Sequence, residues 1–185
     1  MKDYQEFLDE ILIDSAHLQA RIAELGREIS TDYHGKDLHL ICILRGGIFF
    51  LTDLMRQIIV PHTVDFMAVS SYGTARQSTG QVRITYDLKD EIHDRNVLLV
   101  EDIVDSGYTL GSVIELLQTR HPRDLRVCTL LNKPERREVS IQLDYCGFVI
   151  PNKFVFGYGL DLDEYYRNLP FVATVDLRKY HPGQE

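Results

Sequence analysis

The chain has 185 residues, 44% hydrophobic and 26% charged, which fits a soluble globular domain able to bury about two-thirds of its unfolded surface. Its 28 acidic and 20 basic residues give a formal charge of −8 with no Lys/Arg run, which argues against general nucleic-acid binding but leaves room for one local basic site. Cys42, Cys128 and Cys146 are odd in number and far apart, and no apolar run approaches the ~18 residues that span a bilayer, so a disulfide framework, a zinc site and a membrane segment are not expected.

Leu18, Ile22, Leu25 and Ile29 recur at steps of four, three and four, predicting a helix that Asp14 or Ser15 can cap. Leu38–Leu44 reads as a buried strand, and Arg45-Gly46-Gly47 follows it before a second helical pattern from Ile48 to Ile58. Thr63–Ser70 is strand-like, Ser71–Gly80 is polar and small, the composition of a mobile loop, and Gln81–Asp87 alternates as a strand does. Asn96–Glu101 is a continuous apolar run ending in acids, the pattern of a buried parallel strand. Asp105-Ser106-Gly107 is a turn, Tyr108–Thr119 has helical spacing, and Leu125–Leu131 is another apolar strand. The stretch from Phe154 to Val175 mixes short strands with an acidic-aromatic turn at Asp161–Tyr166. This alternation predicts an α/β fold with a mostly parallel twisted sheet flanked by helices, whose ligands bind beyond the carboxyl ends of the strands.

Val97–Thr109 (VLLVEDIVDSGYT) carries the chemistry. Glu101 and Asp102 end the strand as adjacent carboxylates, suited to accept hydrogen bonds from sugar hydroxyls or to hold a divalent metal through the sugar. Asp105-Ser106-Gly107-Tyr108-Thr109 is small enough for backbone to close around an anion, and the helix that starts there offers free N–H groups to a phosphate. The pattern predicts a site for a ribose bearing a 5′-phosphate.

This stretch resembles the signature of the type I phosphoribosyltransferases, which bind phosphoribosyl pyrophosphate. The similarity runs from about Ile11 to Tyr180 and is closest in kind to the bacterial hypoxanthine-guanine enzymes. It is also carried by LRGG (44–47), SYGTARQSTG (71–80), NKPERR (132–137) and KFVFGYGLDLDEYYRNLP (153–170). The resemblance implies one phosphoribosyltransferase domain with a small hood subdomain from about 1–15 and about 150–185. It implies purine salvage in the cytoplasm: transfer of the phosphoribosyl group to N9 of hypoxanthine or guanine with Mg²⁺, giving IMP or GMP and pyrophosphate, in a homodimer or homotetramer, with no nucleic-acid or membrane partner.

Carried over residue by residue, Glu101 and Asp102 match the ribose- and magnesium-binding acids, and Ser106, Gly107, Tyr108 and Thr109 the phosphate loop. Asp105 matches the catalytic residue that exchanges a proton with purine N7, a placement that general acid/base chemistry requires. Tyr108 stands where the family varies, so its backbone N–H rather than its ring is expected to serve. Leu44, Arg45 and Gly46 match the pyrophosphate loop, whose first peptide can be cis in the family, and Arg167 an arginine that reaches the pyrophosphate. Lys133 matches the donor to purine O6; an ammonium donates to a 6-oxo group and is repelled by a 6-amino group, favouring hypoxanthine and guanine over adenine. Phe154 matches the ring that stacks on the base, Val155 the backbone at its edge, and Asp161 a ligand of the second magnesium. Ser71 and Tyr72 match the start of a mobile loop that closes over the reaction and keeps water from an oxocarbenium-like transition state. Asp163 and Glu164 are expected to be solvated, Arg136 and Arg137 to form a solvated or interface charge cluster, and Tyr165 and Tyr166 to pack. The rival reading, a nucleic-acid-binding regulator that senses the metabolite, calls for a basic face that a charge of −8 does not offer. A third, an unrelated α/β hydrolase, lacks a nucleophile motif.

Overall fold

The computed structural model describes residues 3–71 and 82–180. After a short 3₁₀ turn the chain forms β1 (Leu8–Ile13), α1 (Ser15–Asp32), β2 (Leu38–Leu44), α2 (Ile48–Gln57), β3 (His62–Ser71), β4 (Val82–Tyr86), β5 (Asn96–Val104), α3 (Tyr108–Gln118), β6 (Asp124–Asn132), β7 (Tyr145–Val149), β8 (Val155–Phe156) and β9 (Val172–Val175). Asp14 caps α1, its carboxylate accepting from the His17 N–H, as its place before the apolar stripe predicts.

The main sheet has six strands in the order β4-β3-β2-β5-β6-β7. All its pairings are parallel except β3–β4, an antiparallel edge. The α/β class and the mostly parallel sheet are thus as the alternation predicts. The central strands are buried on both faces because their side chains alternate between two cores. Leu38, Leu40, Cys42, Leu98 and Val100 join Leu18, Ile22, Leu25, Phe50 and Leu54 of α1 and α2 on one face. Ile41, Ile43, Val97 and Leu99 join Leu110, Val113 and Leu117 of α3 on the other.

A second, three-stranded sheet has the order β1-β9-β8. Phe7, Phe156, Leu162, Leu169 and Val175 form its own apolar cluster, while Val155, Tyr158 and Val172 reach into the main core. Two of the strands were not expected. β1 carries Asp9 and Glu10 and exposes three of its six residues, so no apolar alternation marks it. In β7, Gly147 brings backbone so close to β6 that a Cβ would lie 2.5 Å from the Leu130 carbonyl oxygen, a fit invisible to local pattern. The three cysteines are free, and among the described residues no helix is long and apolar enough to cross a membrane.

Candidate active site

β2, β5 and β6 are parallel neighbours, so their carboxyl ends emerge at one edge of the sheet. That edge brings together Leu44–Gly47, Glu101–Thr109 and Asn132–Lys133.

β5 runs on to Val104, so Glu101 and Asp102 lie in its last residues rather than beyond them. Burial, and next the charge of Asp102, push the Glu101 carboxyl well above the usual carboxylate range. Burial pushes Asp102 up as well, against its hydrogen bond to Glu101. Asp102 is buried, and its Oδ1 accepts from the Ile103 N–H at 2.7 Å. Glu101 Oε2 is buried with no hydrogen-bond partner among the described residues. A carboxylate oxygen left in that state fits a hydroxyl donor from a bound sugar.

The turn after β5 ends at Gly107, whose φ of +93° is a left-handed conformation that suits glycine. A Cβ there would also meet the Val139 carbonyl oxygen at 3.0 Å. Gly107 begins α3 without a side-chain cap and without an acid in the first turn, leaving the helix N–H groups free of side-chain partners. Such a terminus is built for an anion. The Tyr108 hydroxyl turns to Glu138 Oε2 at 3.3 Å, in keeping with a backbone rather than a ring contribution. Asp105 is half-exposed and pairs with Arg136, Oδ1 to Nε at 3.1 Å.

The Leu44–Arg45 peptide is cis. Gly46 follows it in a slot that admits no side chain, since a Cβ would lie 1.6 Å from Asp102 Oδ2. On its other side Gly159, at φ +98°, approaches so closely that its own Cβ would lie 2.2 Å from the Gly46 carbonyl oxygen. Arg167 donates to the Gly159 carbonyl at 2.8 Å and pairs with Asp161 Oδ1 at 2.8 Å. Asp161 Oδ2 accepts from the Glu164 N–H at 3.0 Å, so both of its oxygens are engaged. Glu164 is exposed, as expected, and also pairs with Arg45 at 2.8 Å and Arg167 at 3.6 Å.

Lys133 directly follows β6 and donates its backbone N–H to the Val104 carbonyl at 3.0 Å. Its side chain is buried, and burial lowers its affinity for a proton while the charge of Asp105 opposes that shift. Val155 is buried in β8, whereas Phe154 leaves half its ring in solvent instead of joining the core as an isolated phenylalanine would. Ser71 closes β3 opposite Val82. Tyr72 and the rest of the expected loop to Gly80 lie outside the described residues.

The sequence reading missed Arg136, Arg137, Gly159 and Glu164. Arg136 is exposed, as expected, yet holds Asp105, whereas Arg137 is half-buried and bonds the loop backbone. Charge runs look alike in sequence whether they meet water or a turn 30 residues away. Tyr166 packs against Phe7 and Phe156, as expected. Among the described residues no three His, Cys, Asp or Glu side chains form a metal cage.

Comparison with known proteins matches residues 9–163 to the phosphoribosyl transferase domain. The chain is 51% identical over 183 residues to the hypoxanthine-guanine phosphoribosyltransferase of Mycobacterium avium, covering 96% of this chain and 90% of that one. It is 48% identical to the hypoxanthine phosphoribosyltransferase of Escherichia coli K12, covering 91% and 96%. Among solved structures it resembles the hypoxanthine phosphoribosyltransferase of Staphylococcus aureus with a TM-score of 0.91 at 44% identity, covering 94% and 95%. With a family domain spanning most of its length and relatives alike along nearly all of it, the chain belongs to the phosphoribosyl transferase family.

Proposed function

We propose that this enzyme serves purine salvage, transferring the 5-phosphoribosyl group of phosphoribosyl pyrophosphate to N9 of hypoxanthine or guanine to give IMP or GMP and pyrophosphate. The observation that carries the reading is Lys133, a buried ammonium on a residue whose own N–H bonds the carbonyl of Val104, next to Asp105. That contact ties a donor for a 6-oxo group to the loop suited to the sugar phosphate.

In this reading the α3 N-terminus and the Ser106 and Thr109 hydroxyls hold the 5′-phosphate, and Glu101 and Asp102 accept from the ribose hydroxyls. The purine stacks on the half-exposed ring of Phe154, with Val155 at its edge and Lys133 donating to O6. Asp105 accepts the proton from N7 as the base attacks the anomeric carbon. Arg45, the Gly46 backbone and Arg167 receive the departing pyrophosphate.

Magnesium fits this donor set. The unpartnered Glu101 oxygen and the adjacent Asp102 are hard oxygen donors, and a hard cation completes its shell with substrate oxygens and water. Those two residues would hold the ion by way of the sugar, and Asp161 would hold a second one once its carboxylate is released from Arg167; when bound, magnesium supplies charge neutralisation for the leaving pyrophosphate. The small sheet β1-β9-β8 is read as the hood. A cytoplasmic homodimer or homotetramer is the expected form, to be checked by sedimentation at micromolar protein.

The test is a set of competing initial-rate assays on hypoxanthine, guanine, xanthine and adenine with phosphoribosyl pyrophosphate and Mg²⁺. Rates dominated by hypoxanthine or guanine are expected. Predominant adenine activity sinks the role given to Lys133.

A further inference from the structure

The guanidinium of Arg137 spans three acceptors that belong to both halves of the site. Its Nε donates to the Asp105 carbonyl at 3.1 Å, and its Nη2 donates to the Val104 carbonyl at 3.3 Å and to Asn132 Oδ1 at 2.6 Å. Val104 and Asn132 are register partners and the last residues of β5 and β6. The bonds therefore sit where the sheet's own ladder stops. Beyond that point one strand becomes the phosphate loop and the other becomes Lys133.

The chain around Arg137 reinforces the junction. A 3₁₀ turn at Pro134–Arg136 folds the segment back, and the next two residues, Glu138 and Val139, donate their N–H groups to the Ser106 carbonyl at 2.9 and 3.1 Å. Arg137 Cδ also stands 3.2 Å from where a Cβ on Gly107 would be. The guanidinium is half-buried and meets backbone and an amide rather than an acid, so its contribution is directional, a planar fork matched to fixed acceptors.

We propose that Arg137 is a positioning residue, fixing the distance between the sugar-phosphate half of the site and the base-recognising half. This rests on the function proposed above. Each substrate has its own contacts, so each binds without Arg137. Transfer needs the anomeric carbon and N9 aligned, and an error of about 1 Å in such alignment can cost on the order of 100-fold in rate.

The experiment compares Arg137→Gln and Arg137→Lys with wild type. kcat is measured with both substrates saturating, and the Kd of phosphoribosyl pyrophosphate with Mg²⁺ by calorimetry. For Arg137→Gln, kcat is expected to fall roughly 10- to 100-fold while that Kd stays within about threefold. Arg137→Lys, which keeps one donor within reach, is expected to fall between wild type and Gln. A folded Arg137→Gln enzyme with kcat within about twofold of wild type would overturn the proposal, as would a loss residing wholly in the Kd, which would make Arg137 a phosphate-loop binding residue. If the Gln variant does not fold, the Lys variant carries the same two criteria. Wild-type inactivity on every 6-oxopurine overturns the functional reading itself and is read before any variant.

Discussion

Gly46→Ala is the substitution for which the structure predicts the largest effect from the smallest change. The added methyl would lie 1.6 Å from Asp102 Oδ2 and 2.7 Å from its Cγ. Ordinary contact needs about 3.5 Å, so one side must retreat by roughly 2 Å. The carboxylate is buried and bonded to the Ile103 N–H, and the Gly46 backbone is backed by Gly159, so neither can move freely. Moving Asp102 displaces the carboxylate assigned to the ribose; moving Gly46 displaces the loop assigned to the pyrophosphate. Since about 1 Å of misplacement can cost on the order of 100-fold, kcat/KM for phosphoribosyl pyrophosphate should fall at least about that much. The assay is steady-state kinetics at saturating hypoxanthine, beside a thermal melt. Gly111→Ala is the control: its Cβ would meet only Val139 Cγ1, at 3.5 Å, inside α3, so the rate should hold and the Tm should rise by about 2–4 °C. A Gly46→Ala enzyme within threefold of wild type in kcat/KM would refute the reasoning.

Asp105→Asn should lower kcat by roughly 10²–10⁴-fold at unchanged circular dichroism, and an unchanged rate removes the acid/base role. Lys133→Met should lower kcat/KM for hypoxanthine by roughly 10- to 150-fold, the worth of a charged hydrogen bond, while its rate with adenine does not fall in step; a parallel fall in both would mean that Lys133 does not read the 6-position. Glu101→Gln should stabilise the protein while weakening phosphoribosyl pyrophosphate binding. The Glu101 carboxyl sits above its ordinary value in the fold, so its contribution to stability is complete below about pH 4 and is lost as the pH rises through the folded value. The Tm gain of the Gln variant should accordingly be larger at pH 8 than at pH 5, and a gain that shrinks with pH contradicts the sign.

The elements that position the site were readable because each announces itself locally. The run from Asn96 has to be buried on both faces, and Ser-Gly ahead of Leu110, Val113 and Leu117 has to be a turn into a helix. Glu101, Asp102 and Asp105 followed from that frame. What escaped depends on neighbours distant in sequence. Gly159 is needed because it lies against Gly46, and Arg137 matters because it folds back on Val104. Glu164 sits among acids and tyrosines in sequence and between two arginines in space. β1 escaped because its pairing with β9 comes from hydrogen bonds to a strand at the far end of the chain, and its exposed side chains hold no record of it.

That pairing has a consequence for synthesis. β9 is the middle strand of the small sheet, with β1 on one side and β8 on the other. β1 leaves the ribosome long before β9, the strand it pairs with, has been made. Until then β1 is an unpaired strand, its backbone open to pairing with another nascent chain. β8, with Phe154 just before it and Val155 within it, likewise has no partner strand until β9 arrives. The main sheet, whose last strand in chain order, β7, ends at Val149, is complete before β9 is made, so the edge that gathers Glu101, Asp105 and Lys133 is built before the small sheet closes.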